Sequence, residues 1–304
     1  MDSARYPFVK GHGTENDFVL LPDPDGTLDL DPVLVRAICD RRAGIGADGV
    51  IRVVPTAAVP GHQDVAGSAP WFMDYRNADG SLAQMCGNGA RVFARFLVDA
   101  GWQQPGRFAF LTRAGIRTAD LAADGDVSVE MGPVRIVGVS TAELAGRTFT
   151  GTVADVGNPH LVCRVAPGLR LEGLDLSAAP GHDPIVFPDG VNVEFVDDSA
   201  GEVRMRVFER GVGETRSCGT GTVAVAAEQL HRAGRTSGRV LVRVPGGAVT
   251  VTLEAAVGSD GGTPEAGFGG AVLTGPAVLV ASGELRPAAL RSPADTGAAA
   301  GSRA

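Results

Sequence analysis

The chain has 304 residues, 44% hydrophobic, 20% charged and 5% aromatic, with a mean hydropathy of +0.10; this is a globular profile, and the length suits two cores of about 100–150 residues each. A formal net charge of −8 and a pI near 5.2, with no basic patch or tail, exclude a nucleic-acid or anionic-membrane surface and leave a small molecule as the expected partner. No apolar run approaches the roughly 18–20 residues of a membrane span, and the first residues carry Asp2, Arg5, Lys10, Glu15 and Asp17 with no apolar core between them, so a cytoplasmic protein is expected.

Cys39, Cys86, Cys163 and Cys218 are widely spaced and never form a CxxC pair, which removes the zinc and thioredoxin signatures. Of the 27 basic residues only Lys10 is a lysine, so a Schiff-base cofactor has one poorly placed candidate. Neither cofactor nor metal is expected.

In chain order, the Ala-, Pro- and Gly-rich stretch Val54 to Pro70 is predicted as a loop. A helix is predicted over Ala90–Ala100, closed by Gly101. Short β-branched runs predict strands at Phe108–Thr112, Val127–Met131, Asn192–Val196 and Val203–Phe208. A second helix is predicted over Thr222–Ala233 before Gly234, followed by strands at Val240–Val244 and Val249–Leu253. Both helices are apolar around most of their circumference, which predicts burial. Gly258 to Gly270 reads as an insertion, Gly132-Pro133 and Gly275-Pro276 as domain crossings, and Ser282 to Ala304 as a disordered tail.

The chain also repeats itself. At a constant offset of 132, Met73 falls on Met205, Asn77 on Glu209, Cys86 on Cys218, Gly87 on Gly219, Gly89 on Gly221, Gly115 on Gly247 and Leu121 on Leu253. The expected fold is therefore α+β, with two similar domains from an internal duplication, each a mostly antiparallel sheet curled around a central helix. The expected boundaries are 1–131 with 275–284 for the first domain, 132–274 for the second, and 285–304 for the tail.

Each repeat sets a Cys-Gly-x-Gly at a helix start. A cysteine there feels the partial positive charge of unpaired N–H groups, which is expected to lower its pKa from about 8.5 towards neutrality. The N–H groups of Gly87, Asn88, Gly219 and Thr220 form anion sites suited to a carboxylate. Two thiols bracketing one carbon, one as base and one as acid, suit stereoinversion of a carboxylate's α-carbon. A buried, inert thiol is the commoner fate of a cysteine and the reading preferred for Cys39 and Cys163. A redox pair joining Cys86 and Cys218 is a further reading, and a silent binding protein another.

The segment NADGSLAQMCGNGAR, Asn77 to Arg91, resembles the signature of the diaminopimelate epimerase family. HGTENDF (His12 to Phe18), GNPH (Gly157 to His160) and ERGVGETRSCGTG (Glu209 to Gly221) follow in the family's order, so the resemblance reaches from the start of the chain to about residue 283. It implies two similar domains and cofactor-free interconversion of LL- and meso-2,6-diaminopimelate, in lysine and peptidoglycan-precursor synthesis, by Cys86 and Cys218 in a homodimer. It also implies that Asn16, Asn77, Asn158, Asn192 and Arg210 hold the amino-acid group that is not inverted, with His160 and Glu209 near the reacting centre. Read without the family, each asparagine is a turn or cap residue and His160 a hydrogen-bonded structural imidazole. Thr14-Glu15 replaces a Leu-Gly often found in the family, and Gly49 stands where some members carry a glutamine. A related racemase acting on proline or hydroxyproline is the alternative enzyme.

Overall fold

The computed structural model describes residues 5–121, 125–256 and 267–290. Its contacts divide the chain into two units: unit 1 is Met1–Gly13, Asp17–Val127 and Ala277–Ala304, and unit 2 is Thr14–Asn16 with Ser128–Pro276.

Unit 1 opens with β1 (Tyr6–Gly13) and β2 (Asn16–Pro22), then α1 (Pro32–Cys39), which starts on an Asp31 side chain accepting from the N–H groups of Val33 and Leu34. β3 (Gly49–Pro55) pairs in parallel with β2 and antiparallel with β4 (Trp71–Asn77). After α2 (Gly87–Asp99), β5 (Gly106–Thr112) touches β4 in parallel at Phe72–Leu111 and pairs antiparallel with β6 (Gly115–Leu121).

Unit 2 repeats the plan. β7 (Val127–Leu144), β8 (Arg147–Asp155) and β9 (Pro159–Arg164) form an antiparallel meander, and the two-residue β10 (Gly181–His182) pairs with β7. β11 (Asn192–Asp197) lies parallel to β9 and antiparallel to β12 (Val203–Glu209), which also pairs with the short β13 (Gly213–Thr215). α3 (Gly219–Arg232) leads to β14 (Gly238–Val244), parallel to β12, and then to β15 (Gly247–Ala255) and β16 (Gly267–Gly275) in antiparallel array. The chain finally returns to unit 1 as β17 (Val278–Leu285), antiparallel to β1.

In each unit the sheet wraps a helix. α2 packs on β1, β3, β4, β6 and β17, and α3 on β8, β9, β11, β12, β14, β15 and β16. Val92, Phe93, Ala94 and Leu97 of α2, and Val223 to Ala227 of α3, are buried on every side. At about 1.5–3 kcal/mol for each large apolar side chain buried, this packing outweighs the middling helix propensity of so many glycines and valines. Both helices end as the sequence predicts, with Gly101 (φ 70°) and Gly234 (φ 67°) in the left-handed region.

Three expectations need correction. The helices begin at Gly87 and Gly219, three residues earlier than predicted, because the cysteine before each caps the first turn. The predicted loop Val54–Pro70 starts inside β3 and contains two 3₁₀ turns, Thr56–Ala58 and Gln63–Val65; Val59 and Val65 pack on a small core of Val54, Ala69, Phe72 and Leu111. The predicted tail begins in structure: Ser282–Leu285 completes β17 against Tyr6–Val9, and Leu290 packs on the unit 1 core. Residues 257–266, which include most of the predicted insertion Gly258 to Gly270, and residues 291–304 lie outside the described residues.

The β14–β15 hairpin packs without room to spare: a Cβ on Gly246 would lie 1.8 Å from the Thr14 carbonyl oxygen, a backbone atom of the same unit. Gly246→Ala is expected to cost roughly 2 kcal/mol or more, as substitutions that force backbone apart do. A denaturant midpoint equal to the parent's would contradict this packing.

Candidate active site

Cys86 and Cys218 occupy the same place in the two units. Each is the N-cap of its helix, in extended conformation (φ −137°, ψ 118° and φ −121°, ψ 120°), and each Sγ accepts the N–H of the glycine three residues on at 3.4 Å. Gly87 and Asn88 therefore form the first turn of α2, as Gly219 and Thr220 do for α3. The N–H groups of a first turn have no partner within the helix, which is what an anion site requires. Asn88 and Arg91 are fully buried in α2, while Cys86 is half-buried.

The surroundings of Cys218 are polar and connected. Thr220 Oγ1 lies 3.5 Å from Cys218 Sγ and accepts from Asn158 Nδ2 at 3.5 Å. Asn158 Oδ1 is 3.1 Å from His160 Nε2, and His160 Nδ1 is 2.7 Å from Glu194 Oε1. Glu209, at the end of β12, accepts a hydrogen bond from the Thr215 hydroxyl and acts electrostatically on Cys218. Asn192 is tied in beside them: its amide donates to Pro159 O at 3.1 Å and accepts the Arg210 N–H at 3.0 Å, while the Arg210 guanidinium donates to Asp189 O at 3.0 Å.

Two of the expected residues lie at turns at the ends of strands. Asn77 closes the turn after β4, where its Nδ2 donates to Ser81 Oγ at 3.0 Å and its carbonyl accepts from Gly80 N at 2.9 Å. Asn16 is buried at the hairpin tip of Thr14–Asn16, the short segment that belongs to unit 2. Glu194 escaped the sequence reading altogether. The available signal was a carboxylate inside the apolar strand Asn192–Val196, where a charged side chain needs a partner to be buried.

The helix-start expectation for the thiol fails at Cys218. Burial pushes its pKa well above the ordinary thiol value, and Glu209 and Glu194 push in the same direction; the Thr220 hydroxyl and the Gly221 N–H only partly oppose them. Burial likewise raises Glu209 and Glu194 above the usual carboxylate range. Cys39 and Cys163, expected to be inert, are buried, and burial pushes each thiol up to about 12.

The diaminopimelate epimerase family model matches residues 8–137 and 152–280, one match over each half of the chain. A diaminopimelate epimerase of Thermobifida fusca (strain YX) is 53% identical over 289 residues, covering 93% of this chain and 99% of the relative. One of Streptomyces coelicolor is 49% identical over 295 residues, covering 93% and 96%. The chain belongs to the diaminopimelate epimerase family. The fold extends further: a hydroxyproline epimerase from Agrobacterium vitis superposes with a TM-score of 0.65 over 92% of both chains at 16% identity, and a PhzF-family phenazine biosynthesis protein of Bacillus anthracis with 0.62 at 14%, over 93% of this chain and 99% of the other.

Both departures from the family pattern have local explanations. Thr14 and Glu15 adopt positive φ (51° and 62°), the geometry of a two-residue hairpin turn and one that favours glycine, which the family often carries at position 15. Thr14 Oγ1 donates to Ser217 Oγ at 2.8 Å and Glu15 pairs with Arg216, so the added carboxylate is matched by a cation. At Gly49 a Cβ would lie 2.5 Å from Arg76 O and 2.6 Å from Tyr75 Cε2, so the Tyr75 ring occupies the space a larger side chain needs.

If Glu209 helps hold Cys218 as a thiol, removing that charge makes the thiolate easier to form. In a Cys86→Ser background, Glu209→Gln is expected to speed alkylation of Cys218 by iodoacetamide at neutral pH, measured by peptide mass spectrometry. An unchanged rate would rule out the carboxylate's contribution.

Proposed function

We propose that this chain interconverts LL- and meso-2,6-diaminopimelate by moving the α-proton between Cys86 and Cys218, without a cofactor. The observation that carries the reading is the paired Cys-Gly-x-Gly N-cap, one in each matched half of a chain about 50% identical to diaminopimelate epimerases over nine-tenths of its length. One sulfur acts as thiolate base and the other as thiol acid, and the roles exchange in the reverse direction. Burial and the two carboxylates beside Cys218 support its starting as the acid.

The N–H groups of Gly87, Asn88, Gly219 and Thr220 take the α-carboxylate, where negative charge grows as the carbanion forms. His160 and Glu209 flank the reacting centre, and Asn16, Asn77, Asn158, Asn192 and Arg210 hold the distal amino-acid group. General acid–base transfer contributes about 10²–10⁴-fold, so stabilisation of the carbanion must supply the larger share. No helix among the described residues is long and apolar enough to cross a membrane, and we place the enzyme in the cytoplasm as a homodimer.

The reading is tested with meso-diaminopimelate in heavy water. Deuterium should enter at the α-carbon and the LL isomer should form, and Cys86→Ala and Cys218→Ala should each abolish both while the circular dichroism spectrum stays unchanged. Exchange with proline alone, or full turnover in either variant, would sink it.

A further inference from the structure

Unit 2 buries an ionisable pair where unit 1 buries hydrocarbon. Val50 pairs with Arg76 across β3–β4 and Val193 with Phe208 across β11–β12, and positions 76 and 208 are related by the 132-residue repeat. One residue further along, Ile51 therefore corresponds to Glu194. Phe18 faces Gly49 across β2–β3 as His160 faces Asn192 across β9–β11, so Phe18 corresponds to His160. All four side chains are fully buried. Each strand residue also meets its helix at the same point: Ile51 Cδ1 lies 3.2 Å from the place of a Cβ on Gly89, and Glu194 Oε1 lies 2.6 Å from that on Gly221.

The fold is thus satisfied by Phe and Ile at these positions, and nothing in the packing asks for His and Glu. Burying an ionisable pair costs more than burying two hydrocarbon side chains, so its presence in one unit only needs another reason. The hydrogen bonds supply one. With Asn158 Oδ1 facing the ring, His160 Nε2–H donates to it, and one proton is held between Nδ1 and Glu194 Oε1. Asn158 Nδ2 then donates to Thr220 Oγ1, whose hydroxyl is left to donate to Cys218 Sγ. From the ring Nε2–H onward, each donor points towards the sulfur.

We propose that Glu194 is a positioning residue that fixes the His160 ring through Nδ1 and so keeps the Asn158–Thr220 donors aimed at Cys218. The aimed hydroxyl receives the thiolate as it forms when Cys218 gives up its proton. Burial raises the Glu194 carboxyl and His160 draws it back, consistent with a proton held between the two. The catalytic part of this inference rests on the two-cysteine reading above; the structural part does not.

Two measurements separate them. In ¹⁵N-histidine-labelled protein, the ring proton between His160 and Glu194 should give a far-downfield, slowly exchanging signal, assigned by its loss in His160→Phe and lost also in Glu194→Ile. Its absence from the parent protein would overturn the positioning claim whatever reaction the enzyme catalyses. In turnover, Glu194→Ile should lower kcat about tenfold or more, and His160→Phe and His160→Phe/Glu194→Ile should show equal kcat, because residues acting as one unit are not additive. A Glu194→Ile kcat within about twofold of the parent, or a further loss when Glu194→Ile is added to His160→Phe, would overturn it. The double variant copies the Phe18–Ile51 pair of unit 1, so it should unfold no earlier than the parent; should Glu194→Ile alone fail to fold, the comparison of His160→Phe with the double variant still decides.

Discussion

A sulfur accepting a backbone N–H at 3.4 Å is a weak cap, yet it starts both central helices of this molecule. The helices hold because they are buried rods: α2 and α3 expose little outside their last turns, and the sheets around them supply the stability that the caps do not. The glycine at the third helical position completes the arrangement. A Cβ on Gly89 would stand 3.0 Å from Met73 Cε and one on Gly221 2.6 Å from Glu194 Oε1, so the opposing strand comes in only because no side chain is there. A reactive group, an anion-binding first turn and a close strand therefore share one short motif.

The motif alone does not set the electrostatics at Cys218. A helix N-terminus stabilises a nearby anion by about 0.3–1 kcal/mol, or about 2 in the best partly buried geometry, which is roughly one pKa unit. Full burial shifts an ionisable group by up to about 3–5 units. At Cys218 burial wins and two carboxylates add to it, so the helix start does not make that sulfur a standing thiolate. What the helix start and Thr220 provide is a low-cost landing for negative charge when the thiol gives up its proton. The walls differ behind an identical cap: His160 and Glu194 are buried in unit 2 where Phe18 and Ile51 are buried in unit 1.

The features legible in the sequence were those with a backbone requirement. Two Cys-Gly-x-Gly runs and the glycines ending the helices are visible because left-handed φ and close approach leave few residues to choose from, and the duplicated α+β plan followed from them. The strands Tyr6–Gly13, Asn16–Pro22, Trp71–Asn77 and Val278–Leu285 were not predicted, although Phe8, Val19, Phe72 and Val280 are good strand formers. Their pairing comes from distant partners, as when residue 6 meets 285, and local pattern holds no record of that. Glu194 was hidden for a related reason: His160 is close in space and 34 residues away in the chain.

Duplication explains how such asymmetry is tolerated. In a unit whose helix is wrapped on all sides, a buried acid and imidazole are costly unless each meets the other, and both must arrive together. Because β9 and β11 lie side by side in parallel, the positions held by Phe18 and Ile51 in unit 1 are neighbours on the face that meets the helix, so a reciprocal pair fits there without disturbing the ladder. The substitution keeps both positions fully buried and changes the field at the helix start. In the proposed reaction each sulfur must serve as acid in one direction and base in the other, and the buried His160–Glu194 pair gives Cys218 a wall that the Phe18–Ile51 pair of unit 1 does not reproduce.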